Sequence, residues 1–131
     1  MNNGGIMKRT VVTSNAPKAV GPYSQAVEKN GILFVSGQIG LKPSDNVMVE
    51  GGIKEQTVQA LENMRAILNE AGYTFEDIVK CGCFLTDLGK FNEFNSVYSE
   101  YFDQEPPARA TFEVSSLPIG ALVEIECIAV K

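Results

Sequence analysis

Apolar positions recur at helical spacing in two stretches and alternate in several shorter ones. Over 53–71, Thr57, Ala60, Leu61, Met64, Ile67, Leu68 and Ala71 form one stripe of period 3.6. Gly72 follows as a C-terminal cap, and Thr74 with Asp77 three residues on reads as a capping box. A second helix is expected from about Leu88 to Phe102, with Asp87 at its N-cap. Its stripe is Phe91, Phe94, Val97, Tyr98, Tyr101 and Phe102. Asn95 sits beside that stripe, either solvated or with its amide toward a cleft.

Strands are expected at 10–13, 24–29, 32–35, 78–86, 109–115 and 122–130. Asn30-Gly31 is a two-residue hairpin signal between the second and third. Ile32–Val35 is a continuous apolar run, as in a strand buried on both faces. In 78–86, Val79, Cys81, Cys83 and Leu85 share one face. Residues 14–23 read as loop, placing Tyr23, and 41–52 read as loop with an extended piece at Met48-Val49. The order is β-β-β-α-β-α-β-β. It predicts an α+β fold in a single domain: one mixed six-stranded sheet with two helices on one face. The other face needs cover, which a second copy of the chain could supply. Residues 1–6 (MNNGGI) are expected to be a disordered lead to a domain spanning 7–131.

The candidate chemistry lies in 106–126, PPARATFEVSSLPIGALVEIE. Two prolines precede an alternating strand in which Arg109, Thr111, Glu113 and Ser115 point one way and Ala110, Phe112 and Val114 the other. If this strand and the next form a hairpin with its loop near 116–121, Arg109 and Glu124 lie on neighbouring strands. They could then clamp a carboxylate and handle water, or form a cross-strand ion pair. Taken alone, the stretch favours the ion pair. Gly37 and Gly40 allow either close approach of a ligand or a bulge.

Charge and composition narrow the chemistry. The chain has 131 residues, net charge −5 and no histidine. Histidine triads and histidine metal sites are excluded, and proton transfer falls to Glu, Asp, Lys, Tyr, Cys or water. Its Lys and Arg residues are scattered, which disfavours nucleic acid as a partner. No membrane span or signal-peptide core is visible, so a cytoplasmic location is expected. Cys81, Cys83 and Cys127 read as reduced, buried thiols, and no metal site is expected.

Several stretches together resemble the RidA/YjgF family of reactive-intermediate (enamine/imine) deaminases. They are Asn15-Ala16-Pro17 with GPYSQAV (21–27), LFVSGQIG (33–40), QTVQALENMRAILNEAG (56–72), DIVKCGCFLTDL (77–88), FNEFNSVYSEYF (91–102) and PPARATFEVSSLPIGALVEIECIAV (106–130). The resemblance spans nearly all the chain after residue 10. It implies a chorismate-mutase-like homotrimer with a central sheet core and a site between subunits. It implies hydrolysis of 2-aminoacrylate and related 2-imino acids, including 2-iminobutanoate and 2-iminopropanoate, to 2-oxo acids and ammonia, without cofactor or metal. Carried over by position, Arg109 would clamp the substrate carboxylate and Glu124 would orient or activate water. Tyr23, Ser36, Gly37, Asn95 and Thr111 would line the pocket. Thr111 stands where the family often has Cys. Glu126 shares the face of Glu124, and only the resemblance chooses between them. Two other readings are a small-carboxylate-binding regulatory or chaperone-like module, and a ribonuclease or translation inhibitor. The acidic charge and the missing histidine weigh against the last.

Overall fold

A six-stranded sheet in the order β1-β2-β3-β6-β4-β5 carries both helices on one face. The computed structural model describes residues 7–131, so the expected lead at 1–6 lies outside the described residues. The strands are β1 (Arg9–Val11), β2 (Ala26–Lys29), β3 (Ile32–Gln38), β4 (Ile78–Leu85), β5 (Ala108–Glu113) and β6 (Val123–Val130). The helices are α1 (Ile53–Ala71) and α2 (Phe91–Tyr101). Among the described residues, no helix is long and apolar enough to cross a membrane.

The local signals fold as their chemistry dictates. Asn30 and Gly31 both take positive φ, 55° and 77°, which the tight β2–β3 turn requires. Gly72 ends α1 in the left-handed conformation, and its N–H and that of Tyr73 cap the last turn. Asp77 accepts the Thr74 N–H at 2.8 Å, closing the expected box. Asp87 accepts the Gly89 N–H, but it caps a 3₁₀ turn at Leu88–Lys90 that leads into α2.

The α1 stripe buries Ala60, Leu61, Met64, Ile67 and Leu68 against Leu33, Val35, Ile125, Cys127 and Ala129 of the central strands. All three thiols are free and buried, with Cys81 and Cys83 on the helix-covered face. One inward position differs from expectation. The β4–β6 register slips between Ile78 and Lys80, so Ile78 turns inward and Val79 stands exposed.

The expected hairpin between the strands at 109–115 and 122–130 does not form. β5 pairs in parallel with β4, and β6 pairs antiparallel with β4 on its other side. Parallel neighbours need a crossover, and α2 provides it between β4 and β5. The chain after β5 then passes round the end of β4. Val114 donates to the Leu85 carbonyl and Thr86 donates to that of Leu122. Arg109 and Glu124 are therefore separated by a whole strand.

The other sheet face is open in the single chain. Phe34 on β3, Phe84 on β4 and Phe112 on β5 lie across it, the first 48% and the last 56% exposed. The expectation that 32–35 is covered on both sides does not hold within the chain: Leu33 and Val35 are buried on the helix-covered face, while Phe34 on the other face is exposed.

Candidate functional site

Glu124 lies in a cleft of about 750 Å³ bounded by the loop before β2, the end of β3 and the loop before β6. Three of the expected pocket residues meet it there: Tyr23, Ser36 and Gly37. A bulge explains why. Val35 pairs with Cys127 and Gln38 with Ile125, so Ser36 and Gly37 together oppose Glu126 alone. The extra residue re-aims this part of β3 toward the carboxylate. Ser36 is fixed by its hydroxyl, which donates to the Ser24 carbonyl at 2.6 Å, and by its N–H, which donates to the Gln25 carbonyl.

Tyr23 is 54% exposed, and its hydroxyl accepts weakly from the Val20 N–H at 3.4 Å. The loop that presents it is held by Gln25, which the sequence reading passed over. Gln25 is buried; its amide donates to the Thr13 and Pro17 carbonyls and accepts the Thr13 N–H. The only signal for it was a polar amide beside the apolar start of a strand. Two further amides act alike from α1. Asn63 donates to the Leu41 carbonyl, and Gln56 accepts the Leu122 N–H. They pin the loops on either side of the cleft.

Burial raises the pKa of Glu124 above its ordinary 4.5, and the neighbouring Glu126 charge raises it further. The folded chain therefore holds this proton more tightly than the unfolded one. The resulting loss of stability is absent below pH 4.5 and complete once pH passes the raised folded value. Glu124→Gln is accordingly expected to melt higher than the unsubstituted chain at pH 7. The gap should close toward pH 4; thermal melts at the two pH values check it.

Arg109 stands elsewhere. It pairs in register with Cys81, whose neighbour across β6 is Cys127, and both thiols are buried under the helices. Glu124 pairs with Phe84, on the open face. Side chains alternate across a strand, so Arg109 and Glu124 project from opposite faces of one sheet. The guanidinium donates to Asn95 Oδ1 at 2.8 Å and lies 4.7 Å from the Tyr98 ring centre and 5.4 Å from that of Phe91. A planar cation held by an amide and by ring faces keeps one orientation and leaves further N–H donors for a ligand. Thr111, two residues on, has a buried hydroxyl oxygen without a hydrogen-bond partner among the described residues. The expected residues thus fall into two groups: Tyr23, Ser36, Gly37 and Glu124 in one place, Asn95, Arg109 and Thr111 in another.

The family model described as Endoribonuclease L-PSP matches residues 13–131. A RutC family protein of Pyrococcus horikoshii is 49% identical over 125 residues, covering 95% of this chain and 99% of its own. The human 2-iminobutanoate/2-iminopropanoate deaminase is 44% identical over 126 residues, covering 96% and 92%. Among solved structures, the Rid family protein YyfA of Yersinia pestis superposes with a TM-score of 0.92 at 48% identity, covering 95% of this chain and all of that one.

Proposed function

The chain belongs to the RidA/YjgF family, also described as Endoribonuclease L-PSP, and from that membership we propose that it is a 2-iminobutanoate/2-iminopropanoate deaminase. In this reading it hydrolyses reactive enamine and imine intermediates, 2-aminoacrylate among them, to 2-oxo acids and ammonia. The human relative that bears this activity in its name matches nearly the whole chain.

The observation that carries the reading is the division of the candidate residues into two half-sites. One offers a fixed guanidinium for a carboxylate. The other offers a half-buried carboxylate that takes up a proton readily. Neither does the chemistry alone, and a second copy packed against the open aromatic face would bring them together. A homotrimer with three such junctions fits this need, because a head-to-tail contact repeated through a third of a turn closes into a ring.

Arg109 would grip the substrate carboxylate through its free N–H groups and set the imine carbon beside Glu124. Water would then add to that carbon of the protonated imine. Its oxygen bonds to carbon, one of its protons passes to Glu124, and the π electrons move to nitrogen, giving a carbinolamine. Glu124 returns the proton to the amine. The carbon–nitrogen bond breaks, the carbonyl forms, and the hydroxyl proton leaves with ammonia as ammonium. The imine carbon is already electrophilic, so no covalent nucleophile is needed.

The direct test generates 2-imino acids in situ with an amino-acid oxidase and follows 2-oxo acid release against trapping by semicarbazide. Release faster than buffer supports the proposal; no acceleration refutes it. Ribonuclease activity, which the family description names, sits poorly with a net charge of −5 and no histidine.

Gly37 supplies a separate check. A Cβ there would collide with the Glu124 carboxylate and stand 3.0 Å from its Cγ. Gly37→Ala should swing the carboxylate aside, lowering kcat roughly 10²-fold while leaving stability within about 1 kcal/mol. Steady-state kinetics beside thermal melts distinguish this from unfolding.

A further inference from the structure

Glu126 is not used in the chemistry above, yet it is placed with care. It lies two residues after Glu124 on β6, so both carboxylates project from the same sheet face and both line the cleft. Each rests over a glycine of a flanking strand. Glu124 fills the space a Cβ on Gly37 of β3 would take. Glu126 lies over Gly82 of β4, its Oε2 only 3.0 Å from where a Cβ would stand. Gly82 faces the open side, opposite to Cys81 and Cys83, and pairs in register with Glu126. Two carboxylates seated in two glycine gaps on either side of one strand keep a fixed separation.

Few other groups face Glu124. Lys18 and Tyr23 come from the loop before β2, Ser36 and Gln38 from β3, and Pro118 and Ile119 from the loop before β6. Phe84 lies across on β4. Lys80 shares an apolar hollow with Glu126, lined also by Phe34, Phe84 and Phe112. Among the described residues, neither Glu124 nor Glu126 is ion-paired with a Lys or Arg. The charged neighbour that acts on Glu124 is thus a second carboxylate.

We propose that Glu126 is a positioning residue of this site: its carboxylate, held over Gly82 beside Glu124, keeps Glu124 basic enough to take the proton from water and carry it to the leaving amine. Two like charges in one hollow resist ionising together, so the more buried of the two, Glu124, holds its proton longer. A stronger base abstracts more readily, and its protonated form persists closer to neutral pH. The direction of the Glu124 shift, to which Glu126 contributes after burial, agrees with this geometry. The role in proton transfer rests on the deaminase reading above; the effect of one carboxylate on the other does not.

The test is a carbon-detected NMR titration of the side-chain carboxyls in the full chain, with the Glu124 signal assigned by its loss in Glu124→Gln. Glu126→Gln is expected to move the Glu124 midpoint to lower pH. Glu126→Asp, which keeps the charge, should leave it near its original place. In the imine assay, the acid limb of kcat/KM for Glu126→Gln should move down by the same interval, and kcat above that limb should fall severalfold. An unchanged Glu124 midpoint in Glu126→Gln overturns the inference, whatever the activity. A shifted midpoint in a chain that never hydrolyses imines supports the coupling and refutes the deaminase reading instead.

Discussion

Arg109→Ala is expected to lower kcat/KM for 2-imino acids by roughly 10² to 10³-fold, with the fold retained. A charge-assisted clamp on a desolvated carboxylate is worth about 2–5 kcal/mol when one partner is removed, and each 1.4 kcal/mol is tenfold. The structural loss is smaller. Arg109 is half-buried, with a single hydrogen bond to Asn95 and its contacts with Tyr98, Phe91 and Phe94. Such contacts contribute on the order of 1 kcal/mol. Arg109→Lys keeps the charge but loses the planar fork, so at least a tenfold fall is expected from it too. Steady-state kinetics, read beside size-exclusion chromatography and thermal melts, check the pair. Full activity in Arg109→Ala would remove the assigned role.

Mixing two inactive variants is expected to restore activity. Arg109→Ala lacks one half-site and Glu124→Gln lacks the other. The two side chains leave the sheet on opposite faces, so a complete site would draw Arg109 from one copy and Glu124 from the next. In a closed trimer assembled at random from equal amounts, about a quarter of the junctions carry both intact groups. Activity near that fraction, appearing only after the two chains are unfolded and refolded together, supports a shared site. No recovery would mean that both groups act within one chain.

How much of this was legible beforehand differs from feature to feature. α1 was, because nineteen residues of period-3.6 pattern ending in a left-handed glycine admit few other structures. So was the turn at Asn30-Gly31, whose two positive φ values few other dipeptides tolerate. Local signals failed where pairing was not local. Two alternating strands separated by a loop look like a hairpin, yet β5 was already committed to β4 through α2, and β6 had to pass beyond it. Nothing in the spacing of Arg109 and Glu124 tells that β4 lies between them. The slip that turns Val79 outward was equally hidden, because alternation assumes an unbroken ladder. Gln25 was missed because its importance comes from three hydrogen bonds to Thr13 and Pro17, which only the folded chain brings near.

β6 follows every other strand in sequence and lies in the interior of the sheet, between β3 and β4. On the ribosome, those two strands emerge long before the one that joins them. Until it arrives, each presents an unpaired edge, and the aromatic side of the sheet has no defined surface. Folding through such distant pairings is slow, and the nascent chain is exposed to misassembly for most of its synthesis. A chain interrupted between residues 114 and 122 would hold β1-β2-β3 and β4-β5 as two unjoined fragments of sheet, without the strand that carries Glu124.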